Sequence, residues 1–401
     1  SYTRNVTFSG STVAPILKQS GAQYLNIYGS SEWQTGMVDI FVNYIYYRHT
    51  GEAKTIKSNG VKINSEVFFE EENSISLLDD LHLKTKLNQV AGTWNTNGHK
   101  VTLETSFESK GTKPRTINLG SSQIYLTNTT SNFNTQESNI TINAGTSHIH
   151  FTTLNVNYAG MTNNANQTYY DVTFEGPVGA LTGGAKYNRV EYKGNGFLSN
   201  SNTFKELIFS PTKTYSFQAN TTQTITKLFS ANTPNCGGWS TITSATTGIQ
   251  ANIVAASGVM IDVSGVIMKD ISASGGANFR ATNSVDNGNN LGWTFPAYVG
   301  QNLYWVGGSG NWNDKTHWSQ TSGGIGGYCV PGPADNTFFD AGSGFSETNK
   351  TVNIDNISYT RNVTFSGSTV APILKQSGTQ YLNIYGSSEW QSGMTDILIA
   401  Y

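Results

Sequence analysis

Few residues in this chain are of types that do chemistry, and their spacing limits what each group can do. Carboxylates cluster in two places, Glu70, Glu71 and Glu72 within "FFEEEN" and Asp79 and Asp80 within "LLDDLH". Glycoside cleavage needs two carboxylates flanking one bond, about 5–10 Å apart, and neighbouring coils of a repeat could present them. Short acidic runs, however, usually sit on solvated loops, and no G-x-S-x-G, P-loop or D-x-D-x-D-G pattern accompanies these. The expectation is a chain with no catalytic residues and no enzymatic activity. His148 and His150 stand two apart, on one face of a strand, with no third residue nearby to complete a zinc or copper site. Asp314, Asp335 and Asp340 are candidate calcium ligands in a Gly-rich segment; the preferred reading makes them Asx-turn formers. Calcium is the one cofactor considered. Tyr44, Tyr46 and Tyr47 in "NYIYYRHTGE" are candidates for stacking on a glycan, and strand alternation puts Tyr44 and Tyr46 on one side and Tyr47 on the other. Cys236 and Cys329 lack metal-type spacing and are either buried thiols or one disulfide.

The elements that must position these groups are strands. "NVTFSG", "YLNIYG", "VKINSEVFFE", "HKVTLET", "YYDVTFEG" and "KELIFS" alternate apolar and polar residues and end on Gly, Asn or Ser, the period-2 signature of half-buried strands. No segment keeps a helical period over three turns. The chain is read as all-β.

Two periods organise these strands. The long one is 357 residues: 1–44 and 358–401 share 38 identities in 44 positions, including the run "SYTRNVTFSGSTVAPILKQSG" at both places. The short one is nested inside it. "TINLGSSQIYLTN" (116–128) matches "TINAGTSHIHFTT" (141–153) in seven of thirteen residues at an offset of 25, and the apolar centres Val172, Val190 and Leu207 follow at 18 and 17. A unit this small cannot enclose a core and must stack on its neighbours. β-sandwiches also alternate, but have no reason to repeat at such short intervals. The predicted fold is a right-handed parallel β-helix of about 15 coils and about 70 Å length at the usual strand spacing.

One segment departs from the pattern. "NNLGWTFPAY" ends the coils with Trp293 and Phe295, and 304–344 then carries Trp305, Trp312, Trp318 and Phe338 among glycines and prolines. These aromatics are expected to pack a junction that caps exposed solenoid strands. The domain reading is a solenoid unit over 1–298, a Trp-rich cap over 299–345, and the first coils of the next unit over 346–401, continuing as a new rod beyond the cap.

Composition restricts the partners. Charged residues make up 12% of the chain and the net charge is −2, which gives no field to attract nucleic acid. Aromatics also reach 12%, too many for a disordered polar tract. No run of apolar residues is long enough to span a membrane as a helix.

The passage "WNTNGHKVTLETSFESKGTKPRTINLGSSQIYLTN", the ending "GWTF" and the restart "WVGGSGNWNDKTHWS…VPGPADNTFFDAG" resemble the tandem β-helix repeats of giant Bacteroidetes cell-surface adhesins, among them the gliding-motility adhesins exported by type IX secretion. The resemblance implies an extracellular, outer-membrane-tethered filament whose repeats adjoin one another. It also implies that the filament grips external surfaces or polysaccharides and meets the gliding and secretion machinery through other regions. The expected function is therefore a structural repeat giving length and stiffness, with a repeat that binds polysaccharide weakly and multivalently, or a polysaccharide-degrading β-helix, as the alternatives.

Overall fold

The computed structural model describes the chain apart from residues 19–20, 22, 38–39, 129–130, 153–158, 166, 234–237, 298, 395–396 and 399–401. Its strands are short and, with one described exception, pair parallel with the strand one coil away. Together they build about 17 β-solenoid turns, divided between two solenoids. The first solenoid has three faces. The first is a 14-stranded sheet running from Tyr2–Thr3 to Val285–Asp286, the second a 7-stranded sheet from Val6–Thr7 to Ile140–Asn143, and the third a long sheet from Leu17–Lys18 to Ile271–Ser274.

Alternation sends every second side chain inward. In Leu81–Leu83 and Val101–Leu103 the outer two residues are buried and the middle one faces out. Inward aromatics stack from coil to coil, Phe107 on Phe133 at 4.7 Å and Phe151 on Phe174 at 4.8 Å, while Trp94 packs on Phe107 from the neighbouring face at 5.1 Å. Such pairs add about 0.5–1.5 kcal/mol each beyond their buried area. Outward positions form amide ladders, with Asn118 donating to Asn95 and Asn143 donating to Asn118, both at 2.6 Å. The corners need left-handed backbone. Asn59-Gly60 and Asn97-Gly98 all have positive φ, which suits Asn-Gly better than other pairs. At Gly92 a Cβ would lie 2.1 Å from the Glu71 carbonyl oxygen of the coil below.

The short sequence periods are the coils themselves. Ile117 pairs with Ile142 and Ile124 with Ile149, at the offset of 25; Val172 pairs with Val190 and Val190 with Leu207. The change of period is a change of cross-section. Beyond Ile140–Asn143 the second face ends, and its strand merges with that of the third face into longer strands, Thr168–Phe174, Lys186–Tyr192 and Asn202–Phe209. Each has two adjacent non-buried residues between inward ones, as at Tyr170-Asp171 between Tyr169 and Val172, and Asn188-Arg189 between Tyr187 and Val190. That slip in alternation marks the bend where two faces share one strand.

The first solenoid closes on Trp293, which packs edge-to-face on Phe279 at 5.1 Å. A second core then begins with Leu303 and contains Trp305, Trp312, Trp318, Phe339 and Phe365. The segment expected as a separate cap is the first coil of this second solenoid: Asn302–Trp305 pairs with Asn336–Phe339, which pairs with Asn362–Phe365, and Gly310–Asn311 pairs with Thr351–Ile354. Nor does the second solenoid continue from the end of the first as expected. It lies against the flank: a cavity of about 580 Å³ is lined by Asn195, Lys213 and Thr241 from successive coils of the first solenoid and by Asn313, Lys315 and Tyr359 of the second. At Gly332 a Cβ would lie 2.1 Å from the Trp239 indole nitrogen, so glycine is required for this approach.

Candidate functional site

On the outside of the first face, three consecutive strands, Tyr24–Ile27, Tyr44–Tyr47 and Glu66–Phe69, set aromatic residues in register. Tyr24 pairs with Tyr44, and Tyr46 with Phe68. The rings touch: Tyr46 and Phe68 stack at 4.6 Å, Tyr24 meets Tyr46 edge-on at 5.5 Å, and Tyr44 meets Phe68 at 6.0 Å. Arg48 lies 4.2 Å above the Tyr46 ring, pairs with Glu70 and donates to Asn26 Oδ1 at 2.6 Å. Burial, and then the Glu70 charge, raise the Tyr46 hydroxyl above its ordinary range. The product is an aromatic surface with a fixed cation at its rim. It can stack against apolar ring faces and donate hydrogen bonds at its edge.

Of the tyrosines singled out by sequence, Tyr44 is exposed and Tyr46 half-buried on the outside, while Tyr47 is buried in the core, its hydroxyl 2.6 Å from Ser31. Tyr24 and Phe68 complete the surface. They were legible only once the coil offset aligned their strands with "YIYY".

The three aspartates are not brought together. Asp314 accepts from the Thr316 hydroxyl and backbone N–H at 2.7 and 2.9 Å, bonds that hold its carboxyl below the ordinary value. Asp335 is buried and accepts from the N–H groups of Gln301 and Gly332 at 2.9 and 2.8 Å. Asp340 caps the short 3₁₀ turn Ala341–Ser343. Each fixes a separate turn. No group of three or more His, Cys, Asp or Glu side chains able to hold a metal occurs among the described residues. His148 and His150 stack at 3.7 Å on the outside of the third face and bond to Thr173, Glu175 and Gln123. Burial, then His150, lowers the His148 pKa.

The acidic run "FFEEEN" is not uniformly solvated, as its charge suggested. Glu71 is turned inward and paired with Lys54, while Glu70 and Glu72 face out toward Arg48 and Lys113. Among the junction aromatics, Trp305 and Trp312 each pack edge-on to Trp318, at 5.1 and 5.0 Å. Trp293 belongs to the first core. Phe338 faces outward and stacks on Tyr304 at 5.1 Å; the inward neighbour is Phe339, 4.1 Å from Phe365. Cys329 is buried and disulfide-bonded, whereas Cys236 lies outside the described residues.

No family model, curated protein or solved structure matches this chain. No helix among the described residues is long and apolar enough to cross a membrane.

Proposed function

We propose that the chain is one structural period, with the start of the next, of a tandem-repeat cell-surface adhesin of the Bacteroidetes type. In this reading its non-catalytic solenoids supply length and stiffness to an outer-membrane-tethered filament used in attachment and gliding. One observation carries the array reading: the duplicated sequence adopts the same local structure twice. Gln34 exchanges two hydrogen bonds with the Ser11 backbone, and Gln391 does the same with Ser368. Asn5 accepts from Ser30 N and Asn362 from Ser387 N. Phe8 stacks on Trp33 at 5.7 Å and Phe365 on Trp390 at 5.4 Å. Two different domains of one fold would not keep these contacts at a fixed offset of 357 residues.

The aromatic surface around Tyr46 favours a second reading, in which each period also holds polysaccharide weakly and the array gains avidity. Passing the 401-residue chain over agarose and a glycan array separates the two. A pure spacer is not retained; a binding repeat is retained and loses retention when Tyr44 and Tyr46 become serine. Staining of the parent cells with an antibody against the chain tests the location: a surface filament is expected, and purely internal staining would sink the adhesin reading.

A further inference from the structure

The cavity where the two solenoids meet is lined by cations and amides. Lys213 and Lys315 enter it, one from each solenoid, and no carboxylate is among its described lining residues. Neither lysine has an ion-pair partner among the described residues, in a chain whose net charge is −2. The acids nearest in sequence are engaged elsewhere: Asp314 accepts from Thr316, and Asp355 from the backbone and side chain of Asn313. Asn195 Oδ1 accepts from the Thr214 N–H at 2.9 Å and Asn356 Oδ1 from the Ile357 N–H at 2.8 Å, which leaves both amide nitrogens to donate. Asn313 is the reverse: its nitrogen donates to Asp355 and Ser358, which leaves its oxygen to accept. Trp239, Val330 and Ile357 add apolar wall, and the Tyr359 hydroxyl bonds to Thr241 across the two solenoids. The corner that carries Lys213 is strained. Thr212 has a φ of 61°, a conformation that β-branched residues avoid, whereas every other described non-glycine residue with positive φ is Asn or Asp. Strain of this kind gathers at ligand sites.

We propose that this cavity binds an acidic monosaccharide unit, a hexuronate or a sulfated hexose. The two ammonium groups neutralise the acid, the Asn195 and Asn356 nitrogens and the Asn313 oxygen pair with ring hydroxyls, and the apolar wall packs a ring face. The volume of about 580 Å³ exceeds what an inorganic anion fills and falls in the range of about 300–1,000 Å³ usual for small-molecule sites. No arginine is among the described lining residues to grip a phosphate with two parallel bonds. The site begins on the same sheet as Tyr44–Tyr47, seven strands further along at Asn195–Leu198, and is independent of the aromatic surface there. Because its walls come from both solenoids, a bound acid also stabilises their packing by mass action.

Titration calorimetry of the 401-residue chain with galacturonate, galactose 6-sulfate, galactose and inorganic sulfate tests this. At least one of the two sugar acids should bind about tenfold more tightly than galactose and than sulfate, and which of them does so identifies the acid group. Lys213→Gln and Lys315→Gln should each weaken that binding severalfold, as should added salt. Reductive methylation of the unmutated chain gives a readout that needs no variant. The bound acid should slow modification of Lys213 and Lys315 severalfold and leave Lys227, on the third face, unchanged. Galactose binding as tightly as both sugar acids overturns the role of the lysines, and sulfate binding as tightly overturns the saccharide. Failure of both sugar acids to bind at millimolar concentration, or binding that leaves the two lysines unprotected, overturns the site.

Discussion

Lys54 and Glu71 form an ion pair between adjacent coils inside the solenoid wall, each only 1% exposed. Glu71 also accepts from the backbone N–H groups of Thr50 and Asn73 at 3.1 and 3.0 Å. Burial lowers the Lys54 pKa, and the nearby Glu52 charge works against that shift. Removing one member leaves the other uncompensated in a dry corner: Lys54→Met should cost about 3–5 kcal/mol, and adding Glu71→Leu should recover much of that loss. Denaturant unfolding of both variants checks the non-additivity; equal losses would show that the pair is not coupled.

The two cores should melt separately. Trp312 is fully buried in the second core, between Trp318 and Phe339. Trp312→Ala should destabilise that unit by about 3–5 kcal/mol while the first solenoid keeps its transition. Calorimetry should show one of two transitions moving, and a uniform shift of a single transition would contradict the division.

Acid should weaken the fold through a few bonded carboxylates. The Gly248 N–H and then Asn289 hold Asp270 below its ordinary 3.8, Thr316 does so for Asp314, and Lys227 holds Glu206 below its ordinary 4.5. With the folded pKa depressed, the stabilisation is complete above the unfolded values and is lost as pH falls through the folded ones. The melting midpoint should be level from pH 7 to about 5 and fall below about pH 4. A midpoint that rises on acidification would contradict this assignment.

The aromatic surface should be separable from stability. Tyr44 is exposed and meets Tyr46 and Phe68 through ring contacts, so Tyr44→Ser should change stability by no more than about 1 kcal/mol. If this surface binds polysaccharide, the same change should weaken retention on a glycan column at least severalfold, with circular dichroism unchanged.

Much of the fold was legible because the solenoid prints its geometry in sequence. The offset of 25 between "TINLG" and "TINAG" is the register of Ile117 with Ile142, and the intervals among Val172, Val190 and Leu207 are those of the merged strands. Alternation alone set Tyr44 and Tyr46 apart from Tyr47, and only the structure shows that the pair faces out and Tyr47 inward. Contacts between coils whose offset is not written in the sequence were not legible. Lys54 and Glu71 carry nothing that marks them as inward, since a charged residue in a polar run reads as solvated. In "NTFF" alternation separates Phe338 from Phe339, but only the partner Phe365 tells which one is inward. The flank contact of Tyr359 with Thr241 joins residues of separate solenoids, and no local pattern records it.

The packing of the two solenoids depends on that flank contact, and amine cross-linking of the monomeric 401-residue chain tests it most directly. Lys213 of the first solenoid and Lys315 of the second line the same cavity. A short bifunctional reagent should join these two lysines in high yield, and Tyr359→Arg should suppress the link. A chain in which Lys213 never cross-links to Lys315 would contradict the side-by-side packing of the two solenoids.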